Sequence, residues 1–276
     1  MTNFLKRLGY GGSAVVDGAQ VLITGGSMEQ ADSPSFLEML DIDPTGTPMP
    51  SRSKILHADG VSAFTGSITF DLTKLIMDKI TTTTLLARGH KFNVGICDGS
   101  GGDSSTDVKW SMKDCYLTNL TLSGAPAGLI TATLAFMAKE ARNSSDGVAN
   151  AYILDDYYGA GGSTDNQPTG YWWSGGTDIK EWTFTMNQAV EPVYINKDVM
   201  TPQYLKVGLI DYQLDVTLYN AGTPSVIAIR TSSFTLTGVS TALGYTFNGV
   251  TDLGMYSHSF VTAADATTGS SGVIIT

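Results

Sequence analysis

Histidines and cysteines, the side chains most used to bind metals, are few in this sequence of 276 residues. The histidines are His57, His90 and His258, and none stands at metal-ligand spacing from another histidine or from a cysteine. We interpret His258 as a hydrogen-bonded strand residue because it lies within an alternating aromatic segment. Two cysteines, Cys97 and Cys115, are too few for a disulfide framework. We expect reduced thiols, with contact across a hairpin as the alternative.

Several segments resemble known sites but lack an essential part. The segment 9–14 fits a loose Gly-x-Gly-x-x-Ala pattern, but no strand is predicted before it and no helix after it. The segment 41–46 begins like a calcium loop, but Arg52 occupies the position of the bidentate glutamate. Asp155 and Asp156 have no histidine or arginine near them in sequence. We therefore predict no catalytic, cofactor-binding or metal-binding residues, and no enzymatic activity.

The composition favours a β protein. The net charge is −10, charged residues make up 15% and hydrophobic residues 42% of the chain. This is too apolar for a disordered chain and not basic enough for a protein that grips nucleic acid over its whole surface. The 31 glycines and 34 threonines favour many short strands joined by turns. No apolar run approaches the roughly 20 residues of a membrane span, so we expect no membrane partner.

Alternation of apolar and polar residues predicts strands over 64–72, 91–97, 108–122 and 129–138. The Gly/Asp/Ser cluster 98–107 is typical of a hairpin loop. Leu72, Leu75, Ile76 and Ile80 have helical spacing, so we predict a helix of roughly two to three turns within 73–87.

An internal repeat organises the chain. The pattern Met-x-Gln-Ala-x-x-Pro-x-aromatic-aliphatic occurs at 28–37 and again at 186–195. The strand 64–70 matches 212–218, and 128–137 matches 254–263, so the three offsets are 158, 148 and 126. The second copy is shorter because the segment corresponding to the helix is missing, and Pro224 disfavours a helix there.

This repeat predicts two related β domains. The first spans 1–139, residues 140–175 form a connecting region rich in loop residues, and the second spans 176–276. The first domain carries 11 basic and 13 acidic residues, whereas the chain from 140 onward carries 5 and 13. The acidic surface therefore belongs mainly to the second part of the chain.

The order strand, helix, strand, hairpin loop, strand, turn, strand in the first copy resembles the major tail tube proteins of long-tailed bacteriophages. The resemblance covers most of 12–139 and, without the helix, about 176–263. It implies a mainly β fold of two tandem β-sandwich or barrel domains, the first flanked by one helix. It also implies a structural virion protein that assembles into stacked rings, which form a tube through which viral DNA passes.

The resemblance implies roles for particular segments. Loops at 32–60 and 190–208 are expected to reach the neighbouring ring, with the candidate contact residues Pro44, Pro48, Pro50, Lys54 and Pro202. The ends, 2–12 and 264–276, are expected to be arms laid on a neighbouring subunit. Asp215 shares a strand face with Gln213 and Thr217, and is a candidate either to face the lumen or to face solvent outside.

The expected partners follow from the same resemblance. They are further copies of the chain, in a ring of three double-domain chains or of six chains, together with tape-measure, terminator and distal tail proteins. The protein would be made in the host cytoplasm and located in the virion tail. Viral DNA would be a transient, weakly held occupant of the lumen. Two alternatives stay open: another virion component, namely a distal tail, baseplate or capsid decoration protein, or a carbohydrate-binding β protein that uses Tyr171, Trp172 and Trp173.

Overall fold

The structure is a computed structural model of the whole chain. It describes residues 12–17, 19–42, 48–72, 74–77, 79–80, 84–97, 108–125, 128–143, 173–174, 179–195, 201–219, 226–230, 235–239, 242–246, 255–263 and 272–275.

The described residues form a mainly β protein, as the composition predicts. The strands are β1 (Gly12–Val16), β2 (Ala19–Ile42), β3 (Pro48–Asp71), β4 (Phe92–Cys97), β5 (Val108–Gly124), β6 (Thr131–Ala138), β7 (Glu140–Asn143), β8 (Trp173–Ser174), β9 (Ile179–Val193), β10 (Tyr204–Leu218), β11 (Val226–Arg230), β12 (Thr235–Val239), β13 (Ala242–Thr246), β14 (Met255–Ala263) and β15 (Gly272–Ile275). One helical turn, α1, spans Lys74–Met77.

All strand pairings are antiparallel, and eleven strands form one sheet. Its order is β13-β14-β10-β9-β5-β4-β1-β2-β3-β6, with β7 also paired to β5. Because β5 pairs with β6 as well as with β4, the strands β1-β2-β3-β6-β5-β4 close on themselves. A second sheet has the order β15-β12-β11-β8.

Strand β5 joins the two parts of the chain. Its residues from Asn119 to Ser123 pair with β6 on one edge and with β9 on the other, and Gly124 pairs with β9. We call the pairing of β5 with β9 the internal junction. The large sheet therefore continues without interruption from the first part of the chain into the second.

The prediction of long loops at 32–60 and 190–208 is wrong. Strands β2 and β3 remain paired as far as Ile42 opposite Pro48, and β9 and β10 remain paired as far as Val193 opposite Tyr204. We call the part of the β2–β3 hairpin beyond Ser35 the ribbon. The resemblance to tail tube proteins places a loop here, and the prolines do not contradict it. Proline is nevertheless tolerated at the first residue of a strand and at irregularities in the pairing.

The positions of the prolines agree with this explanation. Pro34 lies at a register shift between Ser33 and Ser35, and Pro48 is the first residue of β3. Pro50 lies between the last two register pairs of the ribbon, where a further shift occurs. The ladder thus loses few hydrogen bonds to these residues.

Of the helix predicted within 73–87, the described residues show one turn, α1. After α1, the amides of Lys79 and Ile80 donate to the carbonyls of Ile76 and Met77 in tight i→i+3 turns. Further turns continue to His90, whose amide donates to Ala87. The threonine run 81–84 disfavours a longer helix, since β-branched residues lose side-chain freedom in a helix.

The core lies on one face of the sheet, where large side chains from both parts of the chain form a single cluster. The segment after β3 covers this face with Leu72, Ile76, Ile80 and Leu86, all buried. Tyr212 of β10 donates from its hydroxyl to the carbonyl of Leu86 at 3.3 Å. The two parts of the chain therefore share one core.

The described residues also bear on the connecting region and on the ends. Within 140–175, β7 pairs with β5 and β8 pairs with β11. At the C-terminal end, Gly272–Ile275 forms β15, which pairs with β12 of the same chain. Contact of this end with a neighbouring subunit stays a prediction. The described residues do not include 1–11, 98–107, 144–172 or 220–225. The predicted N-terminal arm and hairpin loop, most of the connecting region and the segment around Pro224 therefore stay predictions.

Candidate functional site: a polar sheet face

The face of the sheet opposite the core carries short polar side chains in three rows across neighbouring strands. The pairing registers define these rows. They are Ser27-Ser67-Ala135-Asn119-Asn187-Asp211, Gly25-Thr69-Thr133-Thr121-Thr185-Gln213, and Asp71-Thr131-Ser123-Thr183-Asp215-Ser259. All these residues are half-buried or exposed. We call this surface the polar face.

The polar face exists because the strands alternate strictly. In β6 every second residue is buried, from Ala132 to Ala138, and the residues between them lie on the polar face. Behind the middle row lies a row of large buried residues, Ile68, Leu134, Leu120 and Met186. Burial of these residues holds the strands at a fixed register, since a slip by one residue would expose the core set.

Side chains on the polar face hydrogen-bond to one another. The Nδ2 of Asn119 donates to the Oδ1 of Asn187 at 2.7 Å across the internal junction. The hydroxyl of Thr121 donates to the Oδ1 of Asn119 at 3.1 Å, and the hydroxyls of Thr69 and Thr133 lie 3.1 Å apart. These bonds occupy groups that would otherwise be available to a ligand.

The electrostatic character of the polar face is acidic. Its three rows contain three carboxylates, Asp71, Asp211 and Asp215, and no lysine, arginine or aromatic side chain. Nucleic acid is held by basic side chains at phosphates and by aromatic side chains under bases. The polar face offers neither group, so it presents a surface to which a polyanion would not adhere.

The structure places Asp215 on this face, half-buried in the middle of β10. Its register neighbours are Thr183 on β9 and Ser259 on β14, and its Oδ2 accepts a hydrogen bond from the Nε2 of Gln213 at 2.8 Å. The grouping of Gln213, Asp215 and Thr217 on one strand face is confirmed. Whether that face lines a lumen stays a prediction.

The candidate contact residues do not come together in one place. Pro48, Pro50 and Lys54 lie on the ribbon, where Lys54 is opposite Glu38. Pro202 is buried in the turn before β10, where the Gln203 amide donates to the Val193 carbonyl at 3.0 Å. Pro44 lies outside the described residues. The role of these residues in contacts between rings stays a prediction.

One aromatic side chain packs across the internal junction. Trp182 is 2% exposed and lies directly opposite Gly124, and a Cβ on Gly124 would lie 2.7 Å from the Trp182 Nε1. Glycine is thus required there for the indole to lie against the backbone. Sequence analysis missed this pair and the Asn119–Asn187 bond, because both depend on a pairing between strands far apart in the chain.

The titratable groups of the described residues form no reactive set. Cys115 is buried, and burial raises the pKa of its thiol. Cys115 lies opposite Phe92 whereas Cys97 lies opposite Val108, so contact between the cysteines across the hairpin is contradicted. His258 is a strand residue, as predicted; it is also buried, and burial lowers its pKa.

The described residues contain neither a metal-binding cluster nor a membrane-spanning helix. No group of three or more His, Cys, Asp or Glu side chains in them could hold a metal ion. None of their helical segments is long and apolar enough to cross a membrane.

Comparison with models of known protein families gives no match, and no curated protein matches the chain significantly.

Proposed function

We propose that this chain is a structural subunit of the tail tube of a long-tailed bacteriophage, and that it assembles into stacked rings through which viral DNA passes. The observation that carries the proposal is the polar face, which is continuous over both parts of the chain, acidic and free of basic side chains in its three rows. A conduit must let a polyanion slide, and each phosphate neutralised by Lys or Arg would add affinity through counterion release.

A tandem duplication of one domain supports this assembly. The pairings β1–β4, β2–β3, β3–β6 and β5–β7 of the first part have counterparts β8–β11, β9–β10, β10–β14 and β12–β15 in the second. Strand β5 corresponds to β12 followed by β13, because β4–β5 and β5–β6 correspond to β11–β12 and β13–β14. We infer two tandem β domains, the first with a short helical flank.

The registers of the two copies agree where 25–30 lie opposite 64–69 and 183–188 lie opposite 210–215. Ile68 pairs with Gly26 and Leu134, whereas Leu214 pairs with Phe184 and Phe260. The offsets for the neighbouring strands are 184 − 26 = 158 and 260 − 134 = 126, as the sequence repeat has them. The offset for the central strand is 214 − 68 = 146, two residues less than the sequence match of 148.

The duplication suggests the composition of the ring. Three chains with two copies each would provide six equivalent domains, with the polar face of each turned toward the lumen and Asp215 on the wall. Stacking would multiply the acidic field along the bore, and the low-dielectric protein wall would focus it. The further partners on this proposal are tape-measure, terminator and distal tail proteins, and the location is the virion tail after synthesis in the host cytoplasm.

The test begins with electron microscopy of the purified protein at high concentration, where we expect hollow tubes. Free subunits should show no measurable DNA binding at moderate salt. A variant with Thr121→Lys, Thr133→Lys and Thr185→Lys should bind DNA, and its affinity should fall steeply as salt rises. Its tubes should retain DNA.

A matched control carries three lysines at exposed positions outside the rows of the polar face, Ala125, Leu129 and Thr201. It has the same net charge as the test variant, but its lysines lie outside the polar face. Its tubes should therefore not retain DNA in the bore. Salt-sensitive binding of DNA by the unmodified chain would refute a passive conduit. Well-formed single particles without rings or tubes would favour one of the other virion roles.

A further inference from the structure

Two strand edges of the described structure are suited to pair with another chain. On β2, the edge facing away from β3 over 24–29 has no strand partner among the described residues, and the same is true of the edge of β13 facing away from β14. Neither segment contains lysine or proline, the residues that commonly protect edges. Thr24, Ser27 and Glu29 are exposed, and Tyr245 is 57% exposed.

The internal junction is a template for how these edges meet. There, the β5 edge facing away from β6 pairs with the β9 edge facing away from β10, with Thr121 opposite Thr185 and Gly124 opposite Trp182. It is the only junction between the two copies that lies within one chain among the described pairings, so it shows how one copy adds to the next.

The repeat relates the two strands of the internal junction to the two unpaired edges, β9 to β2 and β5 to β13. Strand β9 corresponds to β2 at an offset of 158, so Thr185 corresponds to Ser27 and Thr183 to Gly25 in the pairing. Trp182 aligns with Thr24 in sequence, where β2 has a register shift toward β3 between Ile23 and Gly25 that β9 lacks. Strand β13 takes the place of this part of β5, because Leu243 pairs with His258 as Leu122 pairs with Ala132. The offset is therefore 243 − 122 = 121.

We infer that β13 of one chain pairs antiparallel with β2 of the next chain, in the register of the internal junction. In this register Tyr245 lies opposite Thr24, Gly244 opposite Gly25, and Ala242 opposite Ser27. The partner that this surface fits is a second copy of the chain. The interface is head-to-tail, and such interfaces generate closed rings or open filaments.

Engineered disulfides test the pairing. Cα atoms of directly opposed strand residues lie about 4.5–5.5 Å apart, which is within disulfide range. A chain with Thr24→Cys and Tyr245→Cys should form disulfides between chains under mild oxidation. If three chains close the ring, a covalent trimer should be the largest product on a non-reducing gel.

Two controls fix the register. A chain with Thr24→Cys and Ala242→Cys places the thiols three residues apart along the edge, roughly 10 Å, and should not cross-link. The unmodified chain reports any cross-linking by its own cysteines. Because Thr24 and Tyr245 are exposed, the cross-linking variant should unfold at the temperature of the unmodified chain.

The closure into three rests on the proposed function, whereas the strand pairing rests on the repeat, and the outcomes separate the two. Rings in the electron microscope without Thr24–Tyr245 cross-links would overturn the pairing and leave the tube intact. Equal cross-linking of the register control would also overturn the pairing. Specific cross-links in ladders longer than three would uphold the pairing and refute the ring of three.

Discussion

The two long hairpins of this protein, β2–β3 and β9–β10, share their lower halves and differ in their upper halves. In both, the residues nearest the core pair at equivalent registers, with Ile68 and Leu214 buried at corresponding positions. The second hairpin ends at Val193 opposite Tyr204, which corresponds to 35 opposite 58 in the first. The first continues to Ile42 opposite Pro48.

This difference separates two roles of one motif. The shared halves bury core residues and carry the polar face, so their lengths are fixed by the sheet. The ribbon extends the first hairpin by 42 − 35 = 7 residues on β2, or about 23 Å at about 3.3 Å per residue. An isolated two-stranded hairpin is marginally stable in water. On the proposed function the ribbon would reach a neighbouring subunit, and among the described residues only the first hairpin carries such an extension.

The largest expected effect is the loss of stacking when the ribbon is removed. Replacing 36–57 by Asn-Gly joins Ser35 to Ala58, which are opposite each other, through a tight turn. Because the paired sheet below is unchanged, we expect a folded chain whose rings no longer stack, as measured by electron microscopy and thermal unfolding. The matched control replaces 196–200 of the second hairpin by a Gly-Ser segment of equal length and should still form tubes. Normal tubes from the ribbon variant would contradict its role.

The internal junction and the inferred junction between chains should respond differently to loss of their aromatic side chains. Trp182→Ala should lower the free energy of unfolding by about 3–5 kcal/mol, because it empties a buried site. Tyr245→Ala should lower it by about 1 kcal/mol or less, because the ring is largely exposed and mainly contacts Tyr256. The second variant should nevertheless fail to form rings. Urea unfolding and electron microscopy measure the two effects, and equal losses of stability would remove the distinction.

Corresponding positions in the two copies also differ in the space they offer. Gly66 corresponds to Tyr212, but a Cβ on Gly66 would lie 2.5 Å from the Phe136 ring, whereas Tyr212 stacks on Phe184. We expect Gly66→Ala to cost about 1–3 kcal/mol in unfolding free energy. Gly25→Ala is the control, since no atom lies within 4 Å of its Cβ. A stable Gly66→Ala chain would show that the aromatic packing can shift.

The smallest expected effect concerns pH. His258 is buried in the second copy, where Ala132 occupies the corresponding position in the first. Burial lowers the pKa of His258, so the unfolded chain, with an ordinary histidine pKa near 6.5, takes up its proton first as the pH falls. Stability should therefore decrease on acidification below about pH 7, with a slope from this group of at most about 1.4 kcal/mol per pH unit.

This pH dependence is measured by chemical unfolding between pH 7 and 5. The variant His258→Gln should have a smaller slope, whereas Ser259→Ala should keep the slope of the unmodified chain. An unchanged slope in His258→Gln would assign the acid sensitivity to other groups.

The strand positions and the repeat could be predicted from sequence, because both depend on local alternation. The strands 108–122 and 129–138 lie where β5 and β6 are found, and the outer offsets of 158 and 126 agree with the registers. The central offset was two residues off. A slip of two residues keeps every side chain on the same face, so the pattern alone cannot detect it.

Among the candidate site residues, the sequence identified Asp215 with Gln213 and Thr217 but not the rest of the polar face. Which strands become neighbours depends on pairings between residues far apart in the chain, such as Asn119 with Asn187. The ribbon was missed because the resemblance places a loop at 32–60, where Pro44, Pro48 and Pro50 are consistent with one. Only the pairing shows that Pro48 and Pro50 lie within a paired strand.

By itself, then, the sequence determined that this protein is an acidic β protein with a repeated pattern of alternating strands, since composition and period-two alternation are local properties. The tertiary structure decided that the two copies join through β5 and β9, that polar rows cross this junction, and that Gly124 accommodates Trp182. These features depend on which edges and faces meet, and that is settled by burying one common core rather than by any single segment.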